Sequence, residues 1–401
     1  MGLADCLREA FANETAVYPI GGGTSLDYGL PAKKQGVGVS LGKLSRVIDF
    51  PARDMTITVE AGITLKALAE TLATEGQQFP VDVPHMERAT LGGVVATNFN
   101  GPRRYGLGAV RDFVIGIHAV DGRGIPFKGG GRVVKNVAGY DFCKLLTGSL
   151  GTLGVITQIT LKLKPIAERS LFLACAVADL VEVEKLLAAL SRSETTPVAI
   201  ELLTGADWGK ESSLAKVVGT SANQGPSHIL LVGIEGTNAE VAWMEKQLSD
   251  EWKTLGVANS IAIKDESAKT WWKKLAEFPS AGNAPLVIKA SVVPSGVTRF
   301  VAAVQEIDPQ ATLQSHAGNG VVIARFSQFP ASGLSRTVVA KLQTTARALN
   351  GYVVILSNPG GAEQTHQSVW GGSAPFELMT AVKKQFDPKD LLNPGRFVYL
   401  P

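Results

Sequence analysis

The sequence predicts an α+β fold of two or three domains, and three observations support that prediction. The chain has 401 residues and 45% hydrophobic content, enough for a large core divided among domains. Glycine is concentrated at one end, because 25 of the 43 glycines lie in the first 154 residues, among short runs of Val, Ile and Thr. After Glu168 helical and extended patterns alternate, which is typical of an α+β domain.

Charge and composition exclude several classes of protein. The net charge is +3 and the charged residues are mixed in sign, so we expect no nucleic-acid partner. No apolar run is long enough to span a bilayer, and charged residues within the first ten positions do not fit a secretory signal. Cys6, Cys143 and Cys175 are widely spaced, which predicts reduced thiols. We therefore expect a cytoplasmic protein without direct membrane insertion, either free or membrane-associated through partner subunits.

The first half predicts a strand, then a helix, and later a second strand. Residues 56–62 form a Thr, Ile and Val run that ends at a glycine, and residues 64–72 carry apolar side chains on one helical face. Thr64 is the expected N-cap of that helix. Residues 155–164 alternate apolar and polar side chains before Pro165, which predicts a half-buried strand.

The second half predicts helices over 178–190 and 239–252 and strands over 228–235 and 286–293. Trp243, Trp252, Trp271 and Trp272 lie in its middle. We expect them in helix cores and at a partner or domain surface, and the alternative is a role in stacking on a substrate. A short helix from Glu377 and a turn-dense tail complete the chain.

Three consecutive glycines, Gly21 to Gly23, follow a short apolar run and precede Thr24 and Ser25. Because glycine has no Cβ, such a loop can turn several N–H groups toward one anion, and the two hydroxyls add donors. The segment lacks the lysine of an ATP-binding loop and does not match the GxGxxG fingerprint. It is therefore either a phosphate cradle or an ordinary turn.

Four further glycine-bearing segments follow in order, at residues 60–62, 89–98, 103–112 and 148–156. One extended ligand held by several loops would need such a series. A dinucleotide with a flat ring system needs backbone donors at its pyrophosphate, glycines along its length and apolar walls around the ring. Flavin adenine dinucleotide (FAD) meets that description.

The ordered motifs are P-I-G-G-G-T-S, V-E-A-G, T-L-G-G-x-x-A-T-N, R-Y-G, R-D, K-N-x-x-G-Y-D, G-S-x-G-T-L-G-V-I-T and N-P-G-R. This set resembles the vanillyl-alcohol-oxidase/PCMH flavoprotein superfamily, and within it the E subunits of glycolate oxidase, also called glycolate dehydrogenase. The resemblance covers residues 17–165 and 386–397, and the middle of the chain matches only in general layout. Residues 135–141 are the stretch most particular to the E subunits.

The resemblance implies a PCMH-type FAD-binding fold of two α+β subdomains with an inserted α+β cap. It places the FAD domain at 1–167, the cap or substrate domain at 168–375 and a segment that completes the FAD domain at 376–401. It also implies where the cofactor binds. The pyrophosphate would bind Gly21, Gly22, Gly23, Thr24 and Ser25. The flavin would be lined by Pro84, Thr90, Leu91, Gly92, Gly93, Ala96 and Asn98, with Tyr105 and Gly106 near the same site and Asn393 returning from the tail to the ring region. The adenosine half would be held by Gly151, Gly154 and Ile156.

Covalent attachment of the flavin in this superfamily commonly uses a histidine just after the glycine run. Thr24 occupies that place here. The resemblance therefore implies non-covalent, dissociable FAD.

The sequence contains no complete catalytic motif, and His316 is the candidate catalytic residue. Related catalytic subunits assemble a metal from histidines and an acidic residue near the cap. Residues 314–320 resemble one of those histidine segments, but Val321, Val322 and Ile323 follow where a second histidine is expected. Asn358 to Glu363 stand where the other histidine motif would lie. We therefore expect no metal site, and His316 is either catalytic or a structural, hydrogen-bonded histidine.

The resemblance implies a FAD-dependent oxidoreductase that oxidises glycolate to glyoxylate as one subunit of a complex. Its partners would be a flavin-containing catalytic subunit and an iron–sulfur subunit, because three scattered cysteines cannot hold a cubane cluster. Two alternatives stay open. One is a self-sufficient FAD-dependent 2-hydroxy-acid dehydrogenase, and the other is a flavin-binding scaffold subunit without turnover of its own.

Overall fold

The computed structural model describes residues 2–131, 139–214, 228–371 and 375–397. It divides into two compact units. Unit 1 comprises residues 1–100, 108–166 and 372–401, and unit 2 comprises residues 101–107 and 167–371. Four positions of the motif at 135–141, Lys135 to Ala138, lie outside the described residues.

Unit 1 is built on a five-stranded antiparallel sheet. Its strands in spatial order are Val47–Asp49, Thr56–Glu60, Val155–Lys162, Val114–Val120 and Pro126–Gly130. Strands Ala16–Ile20 and Gly36–Ser40 pair in parallel as a second small sheet, and Gln77–Gln78 pairs with Lys164–Pro165. The helices among its described residues are Leu3–Ala12, Leu65–Ala73, Leu91–Thr97, Val110–Phe113, Phe142–Leu146 and Phe376–Phe386, and a 3₁₀ turn occurs at Ala52–Asp54.

The structure of unit 1 contains the predicted helix cap at Thr64 and the predicted strand that precedes Pro165. The Thr64 side chain accepts a hydrogen bond from the Ala67 N–H, so it caps helix Leu65–Ala73 as expected. Leu65, Leu68 and Leu72 are buried and join the apolar core over the sheet. Strand Val155–Lys162 is more buried than its alternation predicts, because it lies in the middle of the sheet. Thr160 is accommodated there by a 3.0 Å hydrogen bond with the Thr58 hydroxyl.

Unit 2 contains an eight-stranded antiparallel sheet. Its strands in spatial order are Ser260–Lys264, Arg169–Val177, His228–Gly236, Ala199–Thr204, Thr312–His316, Val321–Arg325, Val287–Ser291 and Tyr352–Ser357. The α-helices are Arg104–Leu107, Leu180–Leu190, Ala206–Gly209, Asn238–Thr254, Asp265–Glu277, Val297–Ile307, Thr344–Ala348 and His366–Trp370. A π-helix, Ser335–Gln343, leads directly into Thr344–Ala348, and 3₁₀ turns occur at Ser212–Leu214, Phe278–Ser280, Pro294–Gly296 and Ala317–Asn319.

The tryptophans of unit 2 do not form one group. Trp271 and Trp272 are buried in an apolar cluster that also contains Trp208. Trp252 is buried separately, and Trp243 is 50% exposed. Three of the four predicted tryptophans are thus core residues, and Trp243 is a surface residue.

In the parts of the chain that the structure describes, no helix combines the length and the apolar character needed to cross a membrane.

Candidate functional site

The glycine loop of unit 1 follows strand Ala16–Ile20, and close backbone packing requires its glycines. A Cβ at Gly22 would lie 1.7 Å from the Arg88 carbonyl oxygen, and one at Gly21 would lie 2.2 Å from the Thr90 Oγ1. Gly23 has a φ of +67°, in the left-handed region that favours glycine. The loop is therefore pressed against residues 88–90, and a side chain at Gly22 would force the backbones apart.

The same loop presents a row of available donors. Among the described residues, none accepts a hydrogen bond from the backbone N–H of Gly22, Gly23, Thr24 or Ser25. Consecutive N–H groups without an internal acceptor form an anion-binding concavity. The Arg88 guanidinium adds positive charge beside the loop, where it donates to the Gly22 carbonyl at 3.3 Å.

Helix Leu91–Thr97 begins next to this loop. Its N-cap Thr90 accepts a hydrogen bond from the Gly93 N–H at 3.3 Å. A Cβ at Gly92 would lie 2.8 Å from the Ala61 Cβ, so the helix approaches the end of strand Thr56–Glu60 closely. This approach brings the helix and the glycine loop to one cleft.

The cleft in unit 1 has a volume of about 370 Å³, within the range of cofactor sites. A second space of about 70 Å³ shares several of its lining residues and extends toward Gly154 and Ile156. The predicted residues that line one or both spaces are Gly21, Gly22, Gly23, Thr24, Ser25, Pro84, Thr90, Gly92, Gly93, Ala96, Gly151, Gly154, Ile156 and Asn393.

Four predicted residues do not line either space. Leu91 is fully buried in the core of unit 1. Asn98 ends helix Leu91–Thr97 with a φ of 51°. Tyr105 and Gly106 belong to unit 2, where Gly106 N–H donates to the Val198 carbonyl at 3.1 Å.

The C-terminal tail contributes to the cleft through Asn393 and Arg396. The Asn393 side-chain amide donates to the Leu150 carbonyl at 2.6 Å, and its backbone N–H donates to the Val17 carbonyl at 3.0 Å. The Arg396 guanidinium donates to the Leu26 and Tyr28 carbonyls at 2.5 and 2.8 Å. Burial lowers the pKa of Arg396 from its ordinary value. Neighbouring carbonyl oxygens thus hold this cation at the edge of the cleft.

Sequence reasoning did not assign several lining residues, among them Tyr18, Leu26, Phe99, Leu150 and Arg396. Arg396 had a signal, because it ends the N-P-G-R motif. The apolar residues had none, since their side chains resemble any core residue until the fold brings them together.

The candidate catalytic residue, His316, lies in unit 2 and is 3% exposed. Its Nδ1 is 2.8 Å from the Glu201 Oε1, and the Gln314 amide donates to the Glu201 Oε2 at 2.8 Å. No described residue contacts the His316 Nε2 by a hydrogen bond. Within the described ranges, no group of three or more His, Cys, Asp or Glu side chains is arranged to hold a metal ion.

The cradle in unit 1 fits FAD. Its available N–H groups suit the pyrophosphate, and its glycines allow the loop backbone to pack directly against residues 88–90. The apolar cleft next to the cradle suits a flat ring system. The fold and the cradle together define a FAD-dependent oxidoreductase.

Comparison with known families agrees with that class. A family described as "FAD binding domain" matches residues 2–128, and one described as "FAD linked oxidases, C-terminal domain" matches residues 166–353 and 371–397. The second match covers more than half of the chain, and the protein belongs to the FAD-linked oxidases.

Several curated proteins are similar to this chain. A D-2-hydroxyglutarate dehydrogenase of Xanthomonas citri is 29% identical over 97% of this chain and 85% of its own length. A D-lactate dehydrogenase of Archaeoglobus fulgidus is 28% identical over 97% of this chain and 87% of its own length. The glycolate oxidase subunit GlcE of Escherichia coli is 36% identical over 43% of this chain and 49% of its own length.

A solved structure of alkyldihydroxyacetonephosphate synthase shares the fold. The two structures match with a TM-score of 0.70 at 17% sequence identity. The match covers 98% of this chain and 75% of the synthase chain. At this identity the likeness concerns the fold alone. It agrees with the predicted PCMH-type α+β class.

Proposed function

We propose that this chain is the FAD-binding subunit of a complex that oxidises glycolate to glyoxylate. The observation that carries the proposal is the 36% identity with the glycolate oxidase subunit GlcE over 172 residues. The motifs quoted for the E-subunit resemblance support the same assignment. In this proposal residues 1–167 and 376–401 form the FAD domain, and residues 168–375 form its cap.

The residues that line the cleft would hold the cofactor. The loop from Gly21 to Ser25 would donate backbone hydrogen bonds to the pyrophosphate, and Thr90, Gly93 and Ala96 would lie along the flavin. Bound FAD supplies a two-electron acceptor for the hydride on the carbon that bears the hydroxyl group. The chain itself would position the flavin and exclude water from it.

The partners in this proposal are a flavin-containing catalytic subunit and an iron–sulfur subunit. Val321 and Val322 occupy strand Val321–Arg325 in the segment where the related catalytic subunits carry a second histidine. One histidine paired with Glu201 does not make the ligand set of those subunits. Electrons would leave the flavin for an iron–sulfur cluster on another polypeptide. The complex would be cytoplasmic or associated with a membrane through these partners.

A second candidate is a self-sufficient FAD-dependent 2-hydroxy-acid dehydrogenase. The observation in its favour is coverage, because D-2-hydroxyglutarate and D-lactate dehydrogenases match 97% of this chain, against 43% for the glycolate oxidase subunit. A third candidate is a flavin-binding scaffold without turnover. It differs from the other two because its flavin would stay oxidised in the active complex.

The test is an absorption spectrum of the purified chain, followed by anaerobic addition of glycolate or D-lactate. We expect a bound-flavin spectrum that bleaches with glycolate when the partner subunits are present and stays oxidised when they are absent. Bleaching by the isolated chain would favour the self-sufficient dehydrogenase. A flavin that stays oxidised in the active complex would favour the scaffold.

A further inference from the structure

Arg396 brings a positive charge to the wall of the unit 1 cleft. Among the described residues that line the cleft and its smaller extension, none of the others is Lys, Arg, His, Asp or Glu. Arg396 belongs to the C-terminal tail, 370 positions after Leu26 in the sequence. The fold therefore places one cation in a cleft whose other described walls carry no charged side chain.

Two sets of hydrogen bonds fix the position of Arg396. The Leu30 N–H donates to the Arg396 carbonyl at 3.0 Å, which attaches the backbone of the tail to the segment after the glycine loop. The Arg396 Nη2 donates to the Leu26 and Tyr28 carbonyls at 2.5 and 2.8 Å. Backbone and side chain thus hold the same segment, so the guanidinium keeps a fixed place beside the cleft.

The guanidinium lies close to one end of the N–H cradle. Leu26 directly follows Ser25, and the Tyr28 N–H donates to the Ser25 carbonyl at 3.2 Å, which closes a turn. Because consecutive Cα atoms are about 3.8 Å apart, the bond to the Leu26 carbonyl places the Arg396 Nη2 within about 9 Å of the Ser25 Cα. Charges at this separation interact at moderate salt, where the Debye length is about 10 Å.

Two other charged groups lie beside the loop but do not line the cleft. Asp27 is exposed, and its carboxylate only partly offsets burial, which lowers the pKa of Arg396. Arg88 is also exposed and donates to the Gly22 carbonyl at 3.3 Å, near the other end of the loop. Water screens exposed charges, whereas a charge in the wall of a cleft acts through a less polar medium. Arg396 is therefore the cation with the strongest effect inside the cleft.

FAD brings a doubly charged group into this cleft. Its pyrophosphate is an anion, and an anion that leaves water needs both hydrogen bonds and an opposite charge. The available N–H groups of the glycine loop supply hydrogen bonds. Peptide groups carry no net charge, so the loop alone leaves the charge of the pyrophosphate unbalanced.

We propose that Arg396 supplies the counter-charge for the pyrophosphate of FAD. The glycine loop defines where the pyrophosphate binds, and the tail contributes the cation that balances it. The C-terminal tail is then part of cofactor recognition as well as a segment of the fold. This role depends on FAD as the cofactor and not on the proposed oxidation of glycolate.

A purely structural role for Arg396 would be to hold residues 26–28 in place. The two roles respond differently to salt, because counter-ions screen the attraction between a cation and a bound anion. They also respond differently to a neutral side chain that still donates hydrogen bonds. Glutamine at position 396 keeps an amide donor for the two carbonyls and removes the charge, and lysine keeps the charge.

The test measures the dissociation constant of FAD for the apo chain at about 0.1 M and 1 M salt, where the Debye length is about 10 and 3 Å. Arg396→Gln should weaken FAD binding by about tenfold at the lower salt and by clearly less at the higher salt. Arg396→Lys should stay within about threefold of the wild type at both salt concentrations. Thermal melts of the apo variants show that they fold.

ADP-ribose is the second probe, because it contains the pyrophosphate and the adenosine half of FAD without the flavin. It should displace FAD from the wild type, and its inhibition constant should rise in Arg396→Gln by the same factor as the dissociation constant of FAD. Arg53→Met is the matched control, since Arg53 is an exposed arginine of the 3₁₀ turn Ala52–Asp54 in the same unit. This control should bind FAD and ADP-ribose as the wild type does.

Three results would overturn the counter-charge. They are wild-type FAD affinity in Arg396→Gln, an equal loss at both salt concentrations, and an Arg396→Lys variant as weak as Arg396→Gln. One measurement needs no substitution: the wild type should bind ADP-ribose clearly more weakly at 1 M salt than at 0.1 M. An affinity for ADP-ribose that does not change with salt would contradict the proposal even if Arg396→Gln failed to fold.

The outcome is independent of the proposed function. A salt-dependent loss of FAD affinity in Arg396→Gln, in a chain that oxidises no glycolate with its partners, would retain the counter-charge and reject the proposed function. Glycolate oxidation by a chain whose FAD affinity does not respond to Arg396→Gln would do the reverse.

Discussion

Among the glycines of the loop, Gly22 lies closest to the backbone of a neighbouring segment. A Cβ there would lie 1.7 Å from the Arg88 carbonyl oxygen, which is backbone and cannot rotate away. We expect Gly22→Ala to displace the loop at a cost of roughly 1–3 kcal/mol. Because the same loop carries the available N–H donors, FAD affinity should fall by about tenfold or more. Titration of the apo chain with FAD, followed by flavin fluorescence, measures the change.

The control is Gly42→Ala, because the nearest atom to a Cβ at Gly42 is the Ser40 hydroxyl at 3.8 Å. This variant should bind FAD as tightly as the wild type does. Wild-type affinity in Gly22→Ala would show that the loop does not hold the cofactor.

Lys289 gives a prediction about stability and pH. Its pKa in the folded chain is lowered to about 8, from an ordinary value of 10.5, so the folded state binds this proton less tightly than the unfolded state. The charged lysine therefore destabilises the fold below pH 8, and the penalty disappears as the pH rises through about 10.4. Lys289→Met should raise the melting temperature at pH 7, and the gain should be clearly smaller at pH 10. Thermal melts of the FAD-loaded chain at both pH values measure the gain, and an equal gain at each pH would contradict the prediction. The control is Lys185→Met, which changes an exposed lysine of helix Leu180–Leu190.

At the level of residues, the sequence singles out the glycine loop but not the grouping of Lys289 with His316 on one face of the unit 2 sheet. The glycine triplet is visible because only glycine permits that packing, and its companions recur in a fixed order. Lys289 belongs to none of the ordered motifs and lies 27 positions before His316 in the sequence. Only the register of the unit 2 sheet shows that Lys289 shares a face with His316.

At the level of elements, periodicity predicted individual strands and helices well. The predicted helix over 239–252 is Asn238–Thr254 in the structure, and the predicted strand over 228–235 is His228–Gly236. Pairing was not predictable from local pattern. Strand Val155–Lys162 lies between Thr56–Glu60 and Val114–Val120, and such long-range neighbours depend on the packing of the whole sheet.

Helix Phe376–Phe386 anchors the C-terminal tail through one buried cation. The Lys383 ammonium donates to the Thr152 and Leu392 carbonyls at 2.9 Å and to the Asp387 carboxylate at 2.6 Å. Lys383→Met should destabilise unit 1 by roughly 3–5 kcal/mol, because it leaves the fully buried Asp387 without its cation. Denaturant unfolding of the apo chain measures this loss.

The same variant should weaken FAD binding, since the tail places Asn393 in the cleft. Lys384→Met changes the neighbouring, exposed lysine and should alter neither stability nor affinity. Wild-type FAD affinity in a clearly destabilised Lys383→Met variant would separate the tail from the cofactor site.

At the level of the whole molecule, the division into two units explains one departure from the sequence-based site. Residues 101–107 lie early in the chain, among segments of unit 1, yet they belong to unit 2. Within unit 2 the R-Y-G motif packs the Tyr105 ring against Gly318, and Tyr105 is not among the residues that line the cleft of unit 1. Order along the chain predicted a shared ligand for all the glycine-bearing segments, and this one segment has a packing role in unit 2.

The mode of cofactor attachment is a property of the holoprotein, and it depends on one position. Thr24 follows the glycine triplet and lines the cleft, where a histidine would be needed for the attachment common in the superfamily. A threonine hydroxyl is a far weaker nucleophile than an imidazole and can only hydrogen-bond to the cofactor. We expect acid precipitation to release all flavin into the supernatant. Yellow colour in the washed pellet would contradict this.

If FAD is dissociable, the stability of the folded protein should depend on the concentration of FAD. A ligand that binds only the folded state stabilises it by about 2.7 kcal/mol at a hundredfold excess over its dissociation constant. The melting temperature of the wild type should therefore rise with added FAD, and the rise should be smaller in Gly22→Ala at the same concentration. A covalent flavin would give one melting temperature whatever the amount of free FAD, so the titration distinguishes the two modes of attachment without relying on precipitation.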